Sequence, residues 1–401
     1  MKRSNHGATP MPEIAVSGPS VPGRRAFLAA LGATAGTLLA PGRSARAQSA
    51  ETPADAIARI VAARQIVNAH EHVQGEENTE ELLRQMDALG IGRTVLVGSP
   101  WFTISLYEQA GFSRYDENNE AILAMARAHP GRFEAWPTAN PLDGEKVNKI
   151  KSLVEGGARG VKLYLGHGYT SRRQNTYIFH PIAMDAPEMM ELYSFLEEAH
   201  LPVCYHVNPA KPGFLDEFIA VLRRFPRLKV NTPHFMLSSM AHSRLREMFD
   251  CFPNLVADIS FGHDDYLKTG LQRVSANAAG FHRLFADYPD RFLFGTDFVV
   301  TTMRPHSQEW YATRMQAYLD MLGLARYTTS LVPGYTLNGL ALDPALLEGL
   351  LFRNFEAFRD RVSRNAAATR EVQWSNLRVA PVERAPGQAL PPPERRGRWR
   401  E

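Results

Sequence analysis

Between Ile57 and Asp360, short β-rich apolar runs alternate with stretches of helical periodicity, and this alternation constrains the fold more than any other feature of the chain. Eight such runs occur, at 66–70, 94–97, 133–137, 160–165, 202–206, 228–234, 255–260 and 291–297. Helical patterns separate them, among them 80–89, 118–129, 145–155, 186–199, 214–225 and 243–252, and several open near Asp, Asn or Ser and close near Gly or Pro, as helix caps require. Strands that each need a helical crossover before the next form a parallel α/β fold. Eight of them predict a closed (β/α)8 TIM barrel, with the active groups at the C-terminal ends of the strands. An open doubly wound sheet is the competing arrangement, and it is disfavoured because no Gly-x-Gly-x-x-Gly follows any strand. After the eighth run the connection from Val299 to about Pro344 is long and carries Tyr318-Leu319-Asp320-Met321-Leu322, which suits a lid or an added helix better than bare coil.

The polar residues fall in a pattern on that barrel. His70 and His72 stand one residue apart at the end of the first run, where alternate side chains of a strand share a face, so both imidazoles point one way and Glu71 the other. An isolated His-x-His is as readily an exposed strand end. Here, however, His206 ends the fifth run, His234 the sixth and Asp297 the eighth. Ligand-type residues repeated at the catalytic rim of a barrel point to a transition-metal site.

At these residues the chain resembles the amidohydrolase superfamily, in its amidohydrolase-2 (amidohydrolase-related) branch, from about Ile66 to Phe358. The likeness rests on His70-Glu71-His72, Ala128-His129-Pro130-Gly131-Arg132-Phe133, Gly157-Ala158-Arg159-Gly160-Val161-Lys162-Leu163-Tyr164 and Leu201-Pro202-Val203-Cys204-Tyr205-His206. It continues through His234, Phe252-Pro253-Asn254-Leu255 and Arg291-Phe292-Leu293-Phe294-Gly295-Thr296-Asp297. The resemblance implies a barrel of about residues 57–362 and a metal bound by His70, His72, His206 and Asp297, with His234 either behind these ligands or holding a second ion. Zinc suits the ligand types best, and manganese, iron or nickel also fit them.

Neutral imidazoles and one carboxylate leave zinc enough charge to lower the pKa of bound water to about 7. Asp297 is then both ligand and acceptor of the water proton, and His234 can stabilise negative charge on a substrate oxygen. Lys162 is similar to a strand-four lysine that takes up carbon dioxide and bridges two metals in some superfamily members. Pairing with a carboxylate, binding an anionic substrate or a scaffold role are its other readings. Tyr164 lies just beyond it, within reach of substrate. These residues predict metal-dependent hydrolysis of an ester, lactone or amide in a small molecule. Non-oxidative decarboxylation of an aromatic or unsaturated carboxylic acid is the alternative on the same fold, and a non-catalytic periplasmic binding protein is the third.

The two ends read differently from the body. Residues 1–47 carry six basic groups, Lys2, Arg3, Arg24, Arg25, Arg43 and Arg46, against Glu13. Arg24-Arg25-Ala26-Phe27-Leu28 opens an apolar run reaching Ala40, and Ala45-Arg46-Ala47 is a small-x-small cleavage site, so the segment resembles a twin-arginine (Tat) signal peptide. The run is shorter than the roughly 20 residues a membrane span needs, so no stable anchor is expected. The implied partner is the twin-arginine export machinery, and the implied location is the periplasm or outside the cell. Residues 366–401 are rich in Pro, Arg and Glu without an apolar period and read as a disordered tail. Once both basic ends are set apart, the overall charge of +3 leaves an acidic body, which gives no electrostatic case for nucleic acid. Cys204 and Cys251 have no CxxC partner and read as inert thiols.

Overall fold

The eight expected runs become strands β1 (Ile66–Val73), β2 (Ile91–Gly98), β3 (Phe133–Ala135), β4 (Val161–Gly166), β5 (Val203–Val207), β6 (Val230–Thr232), β7 (Leu255–Asp258) and β8 (Phe292–Leu293). A further strand, β9 (Phe298–Val300), continues the eighth run beyond Asp297. The structure is a computed structural model that describes residues 51–99, 112–166, 169–170, 177–178, 182–208, 213–234, 241–262, 264–301 and 306–360. The expected signal segment and tail lie outside the described residues.

All neighbours in the ring are parallel. β9 pairs with β1, β1 with β2 and β2 with β3, and β4, β5, β6, β7 and β8 follow one another. Two backbone hydrogen bonds close the seams between these arcs: Lys162 N–H donates to Pro137 O at 2.9 Å, and Ala69 N–H to Phe294 O at 2.9 Å. The fold is therefore a (β/α)8 barrel, with the helices Thr79–Leu89, Tyr115–Ala128, Lys146–Glu155, Met190–Glu198, Phe214–Arg224 and His242–Cys251 among its outer layer. The long connection after the eighth run holds the helix Gln308–Gly323, capped by the Ser307 hydroxyl. Among the described residues no helix is long and apolar enough to cross a membrane.

Packing separates an inner cluster (Val67, Ala69, Val95, Val97, Trp136, Cys204, Val256 and Leu293) from the larger layer between strands and helices, to which Ile66 and Val73 belong. This division exposes an irregularity in β1. Asn68 pairs with Thr94 but Glu71 with Leu96, so three steps along β1 match two along β2. The extra residue is a β-bulge. Before it the odd positions Val67 and Ala69 face inward, and after it the even positions His70 and His72 do. Without the bulge the histidines would share the outward face of Ile66 and Asn68.

The floor of the barrel is plugged by the last described helix, Asn354–Asp360. Its Phe355 and Phe358 enter the inner cluster, and Phe355 stacks on Trp136 with ring centroids 6.2 Å apart. Arg359 pairs with Glu134 at 2.7 Å, and Lys229 Nζ donates to the Arg359 carbonyl at 2.8 Å. The apolar plug excludes water from below, so the polar groups of the barrel gather at its other end.

Candidate metal centre

At that end, His70 and His72 from β1 and Asp297 from the turn between β8 and β9 offer ligand atoms that all lie within 4.8 Å of one another. His72 Nδ1 sits 2.6 Å from the Gly98 carbonyl. A carbonyl only accepts, so Nδ1 carries the proton and Nε2 presents a lone pair. That Nε2 faces Asp297 Oδ1 at 2.9 Å. His70 is arranged the same way. Its Nδ1 lies 3.3 Å from Asp258 Oδ2, although off the line of a well-aligned hydrogen bond, and its Nε2 lies 3.2 Å from Asp297 Oδ1. Burial, and then the charge of Lys162, hold His70 down at about 4, so this imidazole is neutral at physiological pH.

Two nitrogen lone pairs thus converge on one carboxylate oxygen. Lys162 Nζ, 3.1 Å from His70 Nε2, answers one of these lone pairs. His72 Nε2 still meets the carboxylate as acceptor to acceptor, an approach that a cation between them resolves. Ligand distances of about 2.1 Å to a shared ion place N and O roughly 3 Å apart. The donor set fits a divalent metal on this ground. Burial works to raise the Asp297 carboxyl, yet it lies well below the ordinary carboxylate range.

The backbone is shaped around this carboxylate. Asp297 has φ 55° and His234 φ 63°, both in the left-handed region. The Asp297 N–H is held by His70 O at 2.8 Å, and the His234 N–H lies 3.3 Å from Asp258 Oδ1. Gly262 (φ 66°) passes so close that a Cβ there would stand 2.2 Å from Asp297 Oδ2.

The remaining expected residues surround the triad. His234 Nε2 is 3.7 Å from Asp297 Oδ2, and its Nδ1 is fixed by the Ser260 carbonyl at 3.1 Å and the Ser260 hydroxyl at 2.9 Å. His206 is partly exposed, with its ring edge-on to His234 at 5.3 Å between centroids. Lys162 is fully buried beneath His70, its Nζ 3.1 Å from His70 Nε2 and 3.3 Å from Cys204 Sγ. Tyr164, also buried, brings its hydroxyl to 3.4 Å from both His72 Nδ1 and Gly98 O. Both cysteines are free, and burial pushes the Cys204 thiol up to about 12.

Asp258 is a site residue that no sequence motif marks. It is fully buried, and against the cost of that burial it lies far below its usual range, with the Ser260 hydroxyl donating to it. Its oxygens accept from Asn231 Nδ2 at 2.9 Å, Ser260 N at 3.1 Å and the Ser260 hydroxyl. An aspartate inside the apolar run 255–260 was the available signal. His70, Cys204 and Asp258 also cluster at metal-ligating distance, but the Lys162 ammonium occupies their midst, and a carboxylate orienting a histidine accounts for the contact.

The amidohydrolase family model Amidohydro_2 matches residues 105–354, a span that includes Lys162, His206, His234, Asp258 and Asp297 and stops short of β1. No curated protein matches the sequence. Solved structures similar to this one include an uncharacterized TIM-barrel protein from Bordetella bronchiseptica, at 17% identity over 74% of this chain and 99% of that one, with TM-score 0.46. A 2,6-dihydroxybenzoate decarboxylase from Rhizobium matches at 14% over 73% and 98%, with TM-score 0.45. A manganese-bound 5-carboxyvanillate decarboxylase from Novosphingobium aromaticivorans matches at 12% over 74% and 96%, with TM-score 0.46.

Proposed function

The chain belongs to the amidohydrolase family Amidohydro_2, and on that premise we propose that it is a divalent-metal-dependent enzyme that decarboxylates an aromatic or unsaturated carboxylic acid without oxidation. The observation that carries the metal is the convergence of His70 Nε2 and His72 Nε2 on Asp297 Oδ1. His206 is the proposed further ligand, and Asp258 and the Gly98 carbonyl hold the two β1 imidazoles in the ligating tautomer.

Charge supports an acid as the substrate. Lys162 offsets one of the two ionised carboxylates, Asp258 and Asp297, while burial pushes Glu71 up to about 8 and so keeps it uncharged at neutral pH. A dication added to this set leaves the centre net positive, which favours a ligand that arrives as a carboxylate. When bound, such an ion would polarise that carboxylate and stabilise the charge that develops as the C–C bond breaks. The bond's electron pair stays on the substrate carbon, carbon dioxide leaves, and the carbon takes up a proton. Water supplies that proton, and Asp297, with His234 Nε2 3.7 Å from its Oδ2, is positioned to take it up and pass it to the carbon, returning to its ionised form.

Hydrolysis of an ester, lactone or amide, the first expectation from the sequence, becomes the second reading. The ionised state of Asp297 favours it, since a carboxylate held in that form can take a proton from water. Zinc is not singled out by the ligand set, so manganese, zinc, iron and nickel are each to be tried. The metal-loaded protein should release carbon dioxide from members of a panel of hydroxybenzoates and unsaturated acids. Acid release from ester, lactone or amide panels with no carbon dioxide from any acid would overturn the decarboxylase reading in favour of hydrolysis.

A further inference from the structure

Behind the metal centre, on the helix-facing side of β1, Asn68, Glu71 and Thr296 form a closed polar network. Glu71 Oε2 accepts from Asn68 Nδ2 at 2.7 Å and from the Thr296 hydroxyl. Asn68 Nδ2 also donates to Thr296 Oγ1 at 2.9 Å, and Asn68 Oδ1 accepts from Thr296 N at 3.0 Å and His70 N at 3.3 Å. All three side chains are buried, and they border a small cavity shared with Gln85 and Tyr311. Polar groups sunk at a strand seam are costly unless every one is bonded, and these bond chiefly to one another and to the backbone.

The location gives the network its meaning. β8 pairs with β7 as far as Leu293 and regular pairing with β1 begins at Phe298, with the backbone bonds Ala69 N–H to Phe294 O and Asp297 N–H to His70 O linking the stretch between to β1. Between them the chain leaves sheet geometry to place Asp297 at φ 55°. Thr296 N therefore finds its partner in the Asn68 side chain, at the point where the β1 bulge turns His70 inward. Asn68 thus grips the backbone of one proposed ligand, His70, and of the residue preceding another, Asp297.

We propose that Glu71, Asn68 and Thr296 act as a latch across the β1–β8 seam, positioning His70 and Asp297 for the ion without touching it. The inference rests on the metal reading above. It makes Glu71 a positioning residue, held on the far side of the strand from the ligands His70 and His72.

The test uses the full chain and measures Mn2+ and Zn2+ dissociation constants and bound metal content, alongside melting temperatures in chelator. Glu71→Leu removes the acceptor, and Thr296→Val, nearly isosteric, removes the hydroxyl if Glu71→Leu does not fold. Glu71→Gln retains a carbonyl oxygen where Oε2 stands, and Gln85→Leu alters the same cavity outside the latch. Glu71→Leu and Thr296→Val should weaken metal binding roughly 10–100-fold, while Glu71→Gln stays within about threefold of wild type and Gln85→Leu leaves affinity unchanged whatever its melting temperature. Wild-type affinity in both Glu71→Leu and Thr296→Val, or an equal loss in Gln85→Leu, would overturn the latch. Failure of the wild-type protein to bind either ion would instead remove the metal reading, and the latch with it.

Discussion

Asp258 is buried beneath the proposed ligands, yet its two oxygens reach Asn231, Ser260, the His70 ring and the His234 backbone. Asp258→Asn keeps the shape and removes the charge that orients His70. Metal affinity should fall roughly 10–100-fold with the far-ultraviolet circular dichroism unchanged, and equal affinity would deny the orienting role. Gly262 acts at the same scale through the backbone. Gly262→Ala brings a Cβ to 2.2 Å from Asp297 Oδ2 and strains a φ of 66°, so the variant should lose metal retention on dialysis and melt at lower temperature. His70, His72 and Asp297 were legible in the sequence because their types and their places at strand ends coincide. Asp258 was not, because in an apolar run only the closed barrel decides whether an aspartate faces inward. The turn at Gly262 was hidden for a related reason, since its partner, Asp297, lies on a different strand.

Whole elements show the same division between what a periodicity encodes and what a junction does. Strand alternation correctly placed His70 and His72 on one face, but the bulge that aims that face inward leaves no local mark in Ile66–Val73. The floor helix Asn354–Asp360 was also unread, because Phe355 and Phe358 fit any amphipathic helix until Trp136 is seen beneath them. Phe355→Ala should cost about 3–5 kcal/mol in urea unfolding, and a change below about 1 kcal/mol would mean the floor repacks without it. A second junction ties the helix Tyr115–Ala128 to the loop before Lys146–Glu155. Lys149, with Asp143 2.8 Å away, and then the Tyr115 hydroxyl hold the Asp143 carboxyl down at about 2. A folded value below the unfolded one of about 3.9 means the contribution is complete above that pH and disappears as pH falls toward the folded value. Asp143→Asn should therefore melt below wild type by a constant interval at neutral pH, and the interval should close between about pH 4 and 2. An interval that ignores pH would show that the carboxylate charge plays no part.

Across the whole molecule, the barrel closes between segments more than 200 residues apart in sequence: β1 joins β9 directly and meets the β8 seam through Ala69 N and Phe294 O. The ring therefore cannot close until the chain has reached Val300, and its plug, the floor helix, cannot form until Asp360. The metal ligands are split the same way, with His70 and His72 near one end and Asp297 near the other. Contacts this distant make folding slow, because loop closure must precede the stabilising contacts. An ion held by residues this far apart in sequence is bound only once the chain has folded, so a protein that carried its metal with it would cross a membrane folded. We therefore propose that residues 1–47 direct twin-arginine export of the folded chain. Arg24→Lys with Arg25→Lys should leave full-length precursor in the cytoplasm with its metal bound, whereas the parent chain should appear in the periplasm beginning at Gln48. Undiminished export of the double variant would mean that another route carries the protein, and the order of folding before transport would no longer follow.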